Sequence, residues 1–350
     1  MSGKVRVGIV GAGVAVRELH LPVLARMTAE IDVVAVAARA EDRAAAVCRL
    51  FEEAGVGGVS SRAGVRDLLD DPGIGAVLIA VPIDVTPSIV RAAIAAGKHV
   101  LAEKPLADSV SEAVAVWTAA RDRGVVLSVG ENYRFQPDWE TARKLVSEGV
   151  IGTPRMFILN DVHCMPPDGK YTVTEWRRTG THRGGYLVDG GTHMVAVMRH
   201  LIGRPLEAVH GLQTAFHPEY LSGQSDTLLL NLAFEGSFVG QLTLGYGAFD
   251  AEARHPKVYG TEGTLAIMPE AIEVWTRAGT QRVAARSGQR GFDREWESFL
   301  TAIRDGADWE PLVRESIIDL AVITAGIESA SLGGVVAFPG YLRASGVPVV

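Results

Sequence analysis

The chain reads as an α/β protein: a doubly wound Rossmann dinucleotide-binding domain followed by an α+β domain with a large, mainly antiparallel open sheet. Three observations predict this. A β-branched run, Val5–Val10, leads into Gly11-Ala12-Gly13-Val14-Ala15-Val16 and then a helical pattern. Short apolar runs then alternate with helical runs up to about residue 130, the pattern of βαβ units in a parallel sheet. Beyond that point the alternation gives way to long strand-like runs separated by turn pairs such as Glu235-Gly236 and Glu262-Gly263, which is how an antiparallel meander reads.

Each element follows from its local pattern. Val5–Val10 has the composition of a buried parallel strand. The glycine turn and a helix over about 14–27, bent at Pro22, supply the strand–turn–helix context of a dinucleotide fingerprint. Gly11 permits the tight turn and Gly13 lets the backbone approach a pyrophosphate. That group sits on the helix start at Val14 and Ala15, where free N–H groups and the dipole favour an anion. The third fingerprint position holds Val16 rather than Gly or Ala, which implies looser packing of helix on strand. The second strand, 33–37, ends without the carboxylate that bonds a ribose 2′-hydroxyl. Ala38-Arg39 stands there instead, and an Arg suits a 2′-phosphate. NADP is therefore the expected cofactor; an Arg39 stacked on the adenine instead tolerates NAD as well.

A helix over 41–54, a strand near 56–60 and a helix at 66–69 stopped by Asp71-Pro72-Gly73 come next. A strand over 76–81 ends at Pro82, and a helix over 89–96 is closed by Gly97. The strand over 99–102 delivers Glu103-Lys104-Pro105 to the carboxyl edge of the sheet, where ligands bind in open α/β folds. Pro105 cannot donate to a ladder, so the strand stops. A helix over 110–123, Gly124 and a strand over 125–130 complete a first domain, 1–130. The second domain, 131–350, opens with a helix over 138–148 and a strand over 154–163. A polar loop over 164–185 is long enough to imply a function. A helix over 192–201 is followed by strands over 227–234, 238–246, 257–259, 264–268 and 272–276, and by helices over 294–304 and 314–331.

The 350 residues suffice for about two domains, and 47% hydrophobic with 21% charged residues is an ordinary globular composition. A net charge of −7 argues against a polyanion-binding surface, so no nucleic-acid partner is expected. The longest apolar runs, such as 76–83, fall short of a membrane span, and no signal peptide is read at the N-terminus. Cys48 and Cys164 make no disulfide framework, so a reducing, cytoplasmic setting is the default. The runs at 227–234 and 238–246 carry apolar residues at both odd and even positions. One sheet face would then rest on the domain's own helices and the other on a second subunit, giving a homodimer or homotetramer.

The chemistry concentrates in Gly184-Gly185-Tyr186-Leu187-Val188-Asp189-Gly190-Gly191-Thr192-His193. Two glycine pairs allow the backbone to approach a ligand closely. Asp189 and His193 are spaced i, i+4 and share a face if both lie at a helix start. A carboxylate beside an imidazole orients the ring and favours its proton-donor form. A structural histidine and a metal pair are the alternatives. The candidate third ligands His163, Cys164 and His200 show no dedicated spacing, so no metal is expected.

Together these stretches resemble the glucose–fructose oxidoreductase/inositol dehydrogenase (Gfo/Idh/MocA) family over nearly the whole chain. The resemblance rests on GIVGAG at 8–13 with His20-Leu21-Pro22, AGKHVLAEKPLA at 96–107 and NYRFQP at 132–137. It continues with EGVIGTPR at 148–155, WRR at 176–178, GGYLVDGGTH at 184–193 and YGTEGTL at 259–265. It implies an NAD(P)-dependent oxidoreductase acting on the secondary alcohol or ketone of a small sugar-like or cyclic molecule. Lys104 would bond the reacting oxygen, His193 would exchange its proton and Asp189 would bind substrate hydroxyls. Pro82, Glu103, Trp176 and Arg177 would join Gly11, Gly13, Val14, Ala15, Arg39 and Lys104 at the cofactor. Two departures stand out: Ala196 replaces a frequent second Asp, and Pro82-Ile83-Asp84-Val85-Thr86 replaces a loop that often carries Asn and His. A non-catalytic, dinucleotide-sensing regulator of the same fold is the competing reading. Retention of Lys104, Asp189 and His193 argues against it.

Overall fold

The computed structural model describes residues 3–348 except 218, 222, 250–254 and 285–289. The chain divides into two compact units, Met1–Gly130 with Phe292–Ile317, and Glu131–Gly291 with Ile318–Val350.

The first unit contains six parallel strands among its described residues: β1 (Val5–Val10), β2 (Ile31–Ala37), β3 (Ser60–Arg62), β4 (Ala76–Ile79), β5 (His99–Glu103) and β6 (Leu127–Gly130). Their order is β3-β2-β1-β4-β5-β6. Chain order reverses direction between β1 and β4, which opens the crevice where doubly wound sheets bind dinucleotides. β3 starts later than the sequence pattern suggests. The Val56 N–H still bonds the Phe51 carbonyl (2.8 Å), closing the helix Glu41–Glu53. The helix Thr86–Ala95 starts earlier, because the Thr86 N–H and hydroxyl both bond the Pro82 carbonyl at 3.0 Å. After the glycine turn the helix is not uniformly α. Ala15–His20 is a π-turn, with the Leu21 N–H on the Val16 carbonyl, and Leu21–Leu24 is α. Pro22 has no N–H with which to continue the earlier ladder, a local cause of such widening. Val16 is fully buried in the core there.

Residues 292–317 belong to this unit, not to the second as their place in the chain suggested. Helix Phe292–Asp305 inserts Phe292, Trp296, Phe299 and Leu300 into the cluster formed by Val7, Ile9, Val33, Val36 and Phe51. Periodicity reveals such an apolar stripe but not which core it completes.

The second unit is built on nine strands: β7 (Pro154–Val162), β8 (Leu206–Thr214), β9 (Thr227–Phe234), β10 (Phe238–Gly245), β11 (Lys257–Gly260), β12 (Gly263–Ile267), β13 (Ala271–Thr276), β14 (Gly279–Ala284) and β15 (Val336–Ala337). The order is β14-β13-β12-β11-β7-β10-β9-β8-β15, antiparallel throughout except where β10 pairs with β7. The pattern reading passes over β8, β14 and β15. β8 is interrupted by Gly211 and ends polar, and β14 is largely exposed, so neither shows apolar alternation. β9 alternates cleanly: Leu228, Leu230, Leu232 and Phe234 are buried. Leu228 and Leu230 of that inner face pack on Gly326 of the long helix Glu310–Leu332, and Leu244 of β10 packs on Gly191 at the start of the helix Gly191–Ile202. The apolar residues at the intervening positions stay exposed, Leu212 at 55%, Val239 at 50% and Leu229 at 36%. The stretch expected as a long loop contains the helix Glu175–Thr179 and runs into a second, Gly185–Asp189.

Candidate active site

In the first unit the predicted cofactor residues gather at the carboxyl edge of the parallel sheet. Gly11 follows β1 with φ +123°, and a Cβ there would strike the Ala80 carbonyl; only glycine satisfies both conditions. No atom lies within 4 Å of where a Gly13 Cβ would stand, so the backbone of the turn is open to a ligand. Val14 and Ala15 begin the helical segment, where the Arg17 N–H bonds the Gly13 carbonyl (3.2 Å). Such an uncovered strand–glycine–helix cradle fits a pyrophosphate. Arg39 is exposed just past β2, with Arg43 exposed one helical turn on. Pro82 lies beyond β4, and Lys104 directly follows β5, joined to Pro105 by a cis peptide.

Glu103, the last residue of β5, is held from within this unit. The Trp296 Nε1–H donates to His20 Nδ1 (3.1 Å), so His20 carries its proton on Nε2 and donates it to Glu103 Oε1 (2.8 Å). The Lys104 N–H donates to the other oxygen, Oε2, at 3.3 Å. The buried imidazole thus fixes the strand end that carries Lys104. His20 appears in the sequence only as part of the His-Leu-Pro motif; its partners lie 83 and 276 residues away.

In the second unit the i, i+4 pair does not pair with itself. Asp189 ends one short helix, His193 lies in the first turn of Gly191–Ile202, and Gly190 joins the two in helical conformation. Asp189 Oδ2 accepts from Arg177 Nε (2.6 Å), and the Arg177 guanidinium lies over the Trp176 ring at 4.0 Å. Two of the residues expected at the cofactor, Trp176 and Arg177, are thus built around Asp189. The His193 Nδ1 faces Glu131, 2.7 Å from Oε1 and 2.9 Å from Oε2, and its ring stacks on Tyr133 with centroids 4.4 Å apart. Sequence reasoning passed over Glu131, because its 62-residue separation from His193 follows no local period.

Of the three residues weighed as metal ligands, His163 pairs with Asp161 (3.4 Å), Cys164 lies near Tyr220 (4.0 Å) and His200 meets Arg143 (3.3 Å). Hydrogen bonding to Asp161 pushes the His163 pKa up, and burial pushes that of the Tyr246 phenol well above its ordinary value. Internal packing by itself requires glycine at 190 and 191. A Cβ at Gly190 would stand 2.7 Å from the Tyr246 Oη, and one at Gly191 would stand 2.5 Å from Leu244.

A parallel sheet ordered 3-2-1-4-5-6 with an open glycine turn at its switch point, in one chain with a broad α+β sheet, defines a two-domain protein with an NAD(P)-binding fold. Family models agree: the oxidoreductase family's NAD-binding Rossmann fold matches residues 5–131 and its C-terminal alpha/beta domain matches residues 143–338. The chain belongs to the Gfo/Idh/MocA oxidoreductase family. It is 27% identical to a dehydrogenase of Fusarium mangiferae, covering 94% of this chain and 97% of that one. It is 29% identical to an NADP(+) D-xylose 1-dehydrogenase of Haloferax volcanii, covering 94% and 98%. Among solved structures, an oxidoreductase of Thermotoga maritima superposes with a TM-score of 0.88 at 28% identity, over 97% of this chain and all of the other. No described helix is long and apolar enough to cross a membrane.

Proposed function

We propose that this protein is an NADP-dependent dehydrogenase that moves a hydride between the nicotinamide and a secondary alcohol or ketone of a sugar-like or cyclic substrate. Lys104 and His193 form its catalytic pair. The observation that carries this reading is the His193 ring: one nitrogen is engaged by a carboxylate and the plane is fixed by Tyr133, as a proton-exchanging imidazole requires. The D-xylose dehydrogenase and a scyllo-inositol 2-dehydrogenase of Bacillus subtilis, 27% identical over 57% of this chain, support a polyhydroxylated substrate.

When bound, the nicotinamide supplies or accepts the hydride. The Lys104 ammonium stabilises negative charge developing on the substrate oxygen, a contribution of about 2.7–4 kcal/mol in a water-poor site. His193 takes the hydroxyl proton in oxidation and returns it in reduction. Asp189, oriented by Arg177, binds neighbouring hydroxyls. Gly11, Gly13, Val14 and Ala15 would hold the pyrophosphate, Pro82 and Glu103 would serve the nicotinamide end, and Arg39 would hold the 2′-phosphate. We further assign a cytoplasmic homodimer or homotetramer, assembled through the sheet face that carries Leu212, Leu229 and Val239.

Absorbance at 340 nm with NADP and a panel of D-glucose, D-xylose, scyllo-inositol and levoglucosan tests the reading. Lys104→Ala should lower kcat by about 10² or more, and His193→Ala by about 10²–10⁴. Near-wild-type turnover in either variant removes that residue from the mechanism. A wild type that binds NADPH yet turns over nothing on the panel favours the regulator.

A further inference from the structure

We infer that Glu131 is the positioning residue for His193: its carboxylate fixes the imidazole proton on Nδ1, so that Nε2 is the nitrogen that exchanges a proton with substrate. This deepens the dehydrogenase reading and rests on it. Glu131 follows β6 directly and is only 3% exposed. Its Oε1 and Oε2 both lie within hydrogen-bond distance of His193 Nδ1, and Oε1 also accepts the Tyr133 N–H at 3.3 Å. An ionised carboxylate has no proton to give. Nδ1 must therefore be the donor, and a neutral ring in this setting has a bare Nε2.

Two further constraints hold the pair in register. Tyr133 stacks on the imidazole with an interplanar angle of 15°, which sets the ring plane. Arg134, in the same turn as Tyr133, binds the buried Asp319, which also accepts from Arg199 at 2.7 Å. Arg199 lies on the same helix as His193. The turn 131–135 and that helix are therefore tied at two points, and the carboxylate meets the imidazole with little freedom. Asp161 and Arg290 are the other charged groups whose fields reach Tyr133.

The arrangement accounts for the proton in the oxidation step. The substrate O–H bond breaks and an N–H bond forms at Nε2. The C–H bond breaks with its electron pair leaving as hydride to the nicotinamide, and the C=O bond forms. The alcohol carbon is oxidised and the nicotinamide reduced. The resulting imidazolium keeps its Nδ1–H on Glu131, so the positive charge forms against a carboxylate already in place. In Glu131→Gln the shape is kept, but the amide can donate as well as accept. It then supports the opposite tautomer, with Nδ1 bare and Nε2 blocked by its own proton.

The test uses the full chain labelled with ¹⁵N-histidine, with the His193 resonances assigned by their loss in His193→Asn. In wild type without substrate, the long-range ¹H–¹⁵N pattern should show the proton on Nδ1, and in Glu131→Gln it should move to Nε2. On the panel above, Glu131→Gln should lose about 10²–10⁴ in kcat with KM within threefold of wild type, while Glu131→Asp recovers part of that loss. A carboxylate that merely tethers the helix predicts unchanged kcat in any variant that melts at the wild-type temperature. A wild-type proton on Nε2, or a Glu131→Gln protein with wild-type tautomer and turnover, overturns the inference. If wild type oxidises no member of the panel, the dehydrogenase reading fails, and the tautomer alone then decides whether Glu131 holds the ring. If Glu131→Gln does not fold, the wild-type tautomer and the Glu131→Asp kinetics decide it.

Discussion

Replacing Gly190 with alanine adds one methyl group between Asp189 and His193, and its cost can be worked from the surroundings. The new Cβ would stand 2.7 Å from Tyr246 Oη, 3.0 Å from Cζ and 3.2 Å from Cε1. The Tyr246 ring is buried and flanked by His163 and Tyr186, with centroids at 5.2 and 6.1 Å, so it has little room to yield. Such overpacking costs about 1–3 kcal/mol. Gly190 has φ −85° and ψ −40°, which alanine adopts without strain, and the stiffer unfolded chain returns about 0.4–1 kcal/mol. Gly190→Ala should therefore destabilise by up to about 2.6 kcal/mol. Tyr246→Phe removes a buried hydroxyl that has no hydrogen-bond partner among the described residues, and should be neutral or stabilising by up to about 1 kcal/mol. It also deletes the closest atom. In the phenylalanine background the added methyl should cost under about 0.5 kcal/mol, leaving a coupling of up to about 2 kcal/mol against an additivity scatter of about 0.3–0.5 kcal/mol. Urea denaturation of wild type, the two single variants and the double variant measures it. Additivity within about 0.5 kcal/mol would falsify the claim that Gly190 exists to seat the Tyr246 hydroxyl.

Three other outcomes are expected. Arg39→Ala should weaken NADP relative to NAD by roughly 10- to 150-fold in kcat/KM, the worth of a charge-assisted phosphate contact; a wild type that prefers NAD, or a variant with undiminished NADP preference, rejects that role. His99 Nδ1 accepts the Val126 N–H (3.0 Å), and burial pushes its pKa down. Between its ordinary value near ~6.5 and the depressed one, the unfolded chain binds more protons than the fold, so stability falls as pH drops through that window. His99→Asn keeps an acceptor at the same position without titrating, and should flatten the dependence of melting temperature on pH; a slope identical to wild type rejects the assignment. Paired Val239→Glu and Leu212→Glu substitutions should dissociate the oligomer in sedimentation at micromolar concentration, and a wild type already of monomer mass refutes the interface.

Elements carried by a local repeat were legible in the sequence. The helix Val110–Arg123 and the strand Thr227–Phe234 fall at their expected bounds, because Gly124 caps the first and leucines alternate through the second. The glycine turn after β1 and the placement of Lys104 after β5 were likewise written in a few adjacent residues. The partners of the site were not. Glu131 meets His193 only because the turn 131–135 and the helix Gly191–Ile202 come together within the second unit, and Arg177 reaches Asp189 from a stretch whose pattern shows no helix. The glycines flanking Asp189 signal close approach, and sequence cannot say of what; the structure answers with Tyr246 and Leu244. β14 escaped notice because an exposed edge strand needs no apolar face, and its residues are chosen by solvent instead.

The return of 292–317 to the first unit sets the order in which this chain can mature. By the time Gly130 leaves the ribosome every strand of the parallel sheet has been made, yet its core still lacks Phe292, Trp296, Phe299 and Leu300. His20 still lacks the indole donor for its Nδ1. At about 5–20 residues per second, the nascent sheet waits on the order of ten seconds with an uncovered apolar patch while residues 131–291 are synthesised. A fragment cut at residue 130 remains at that stage permanently. The nucleotide-binding half of this protein is thus encoded first and completed late.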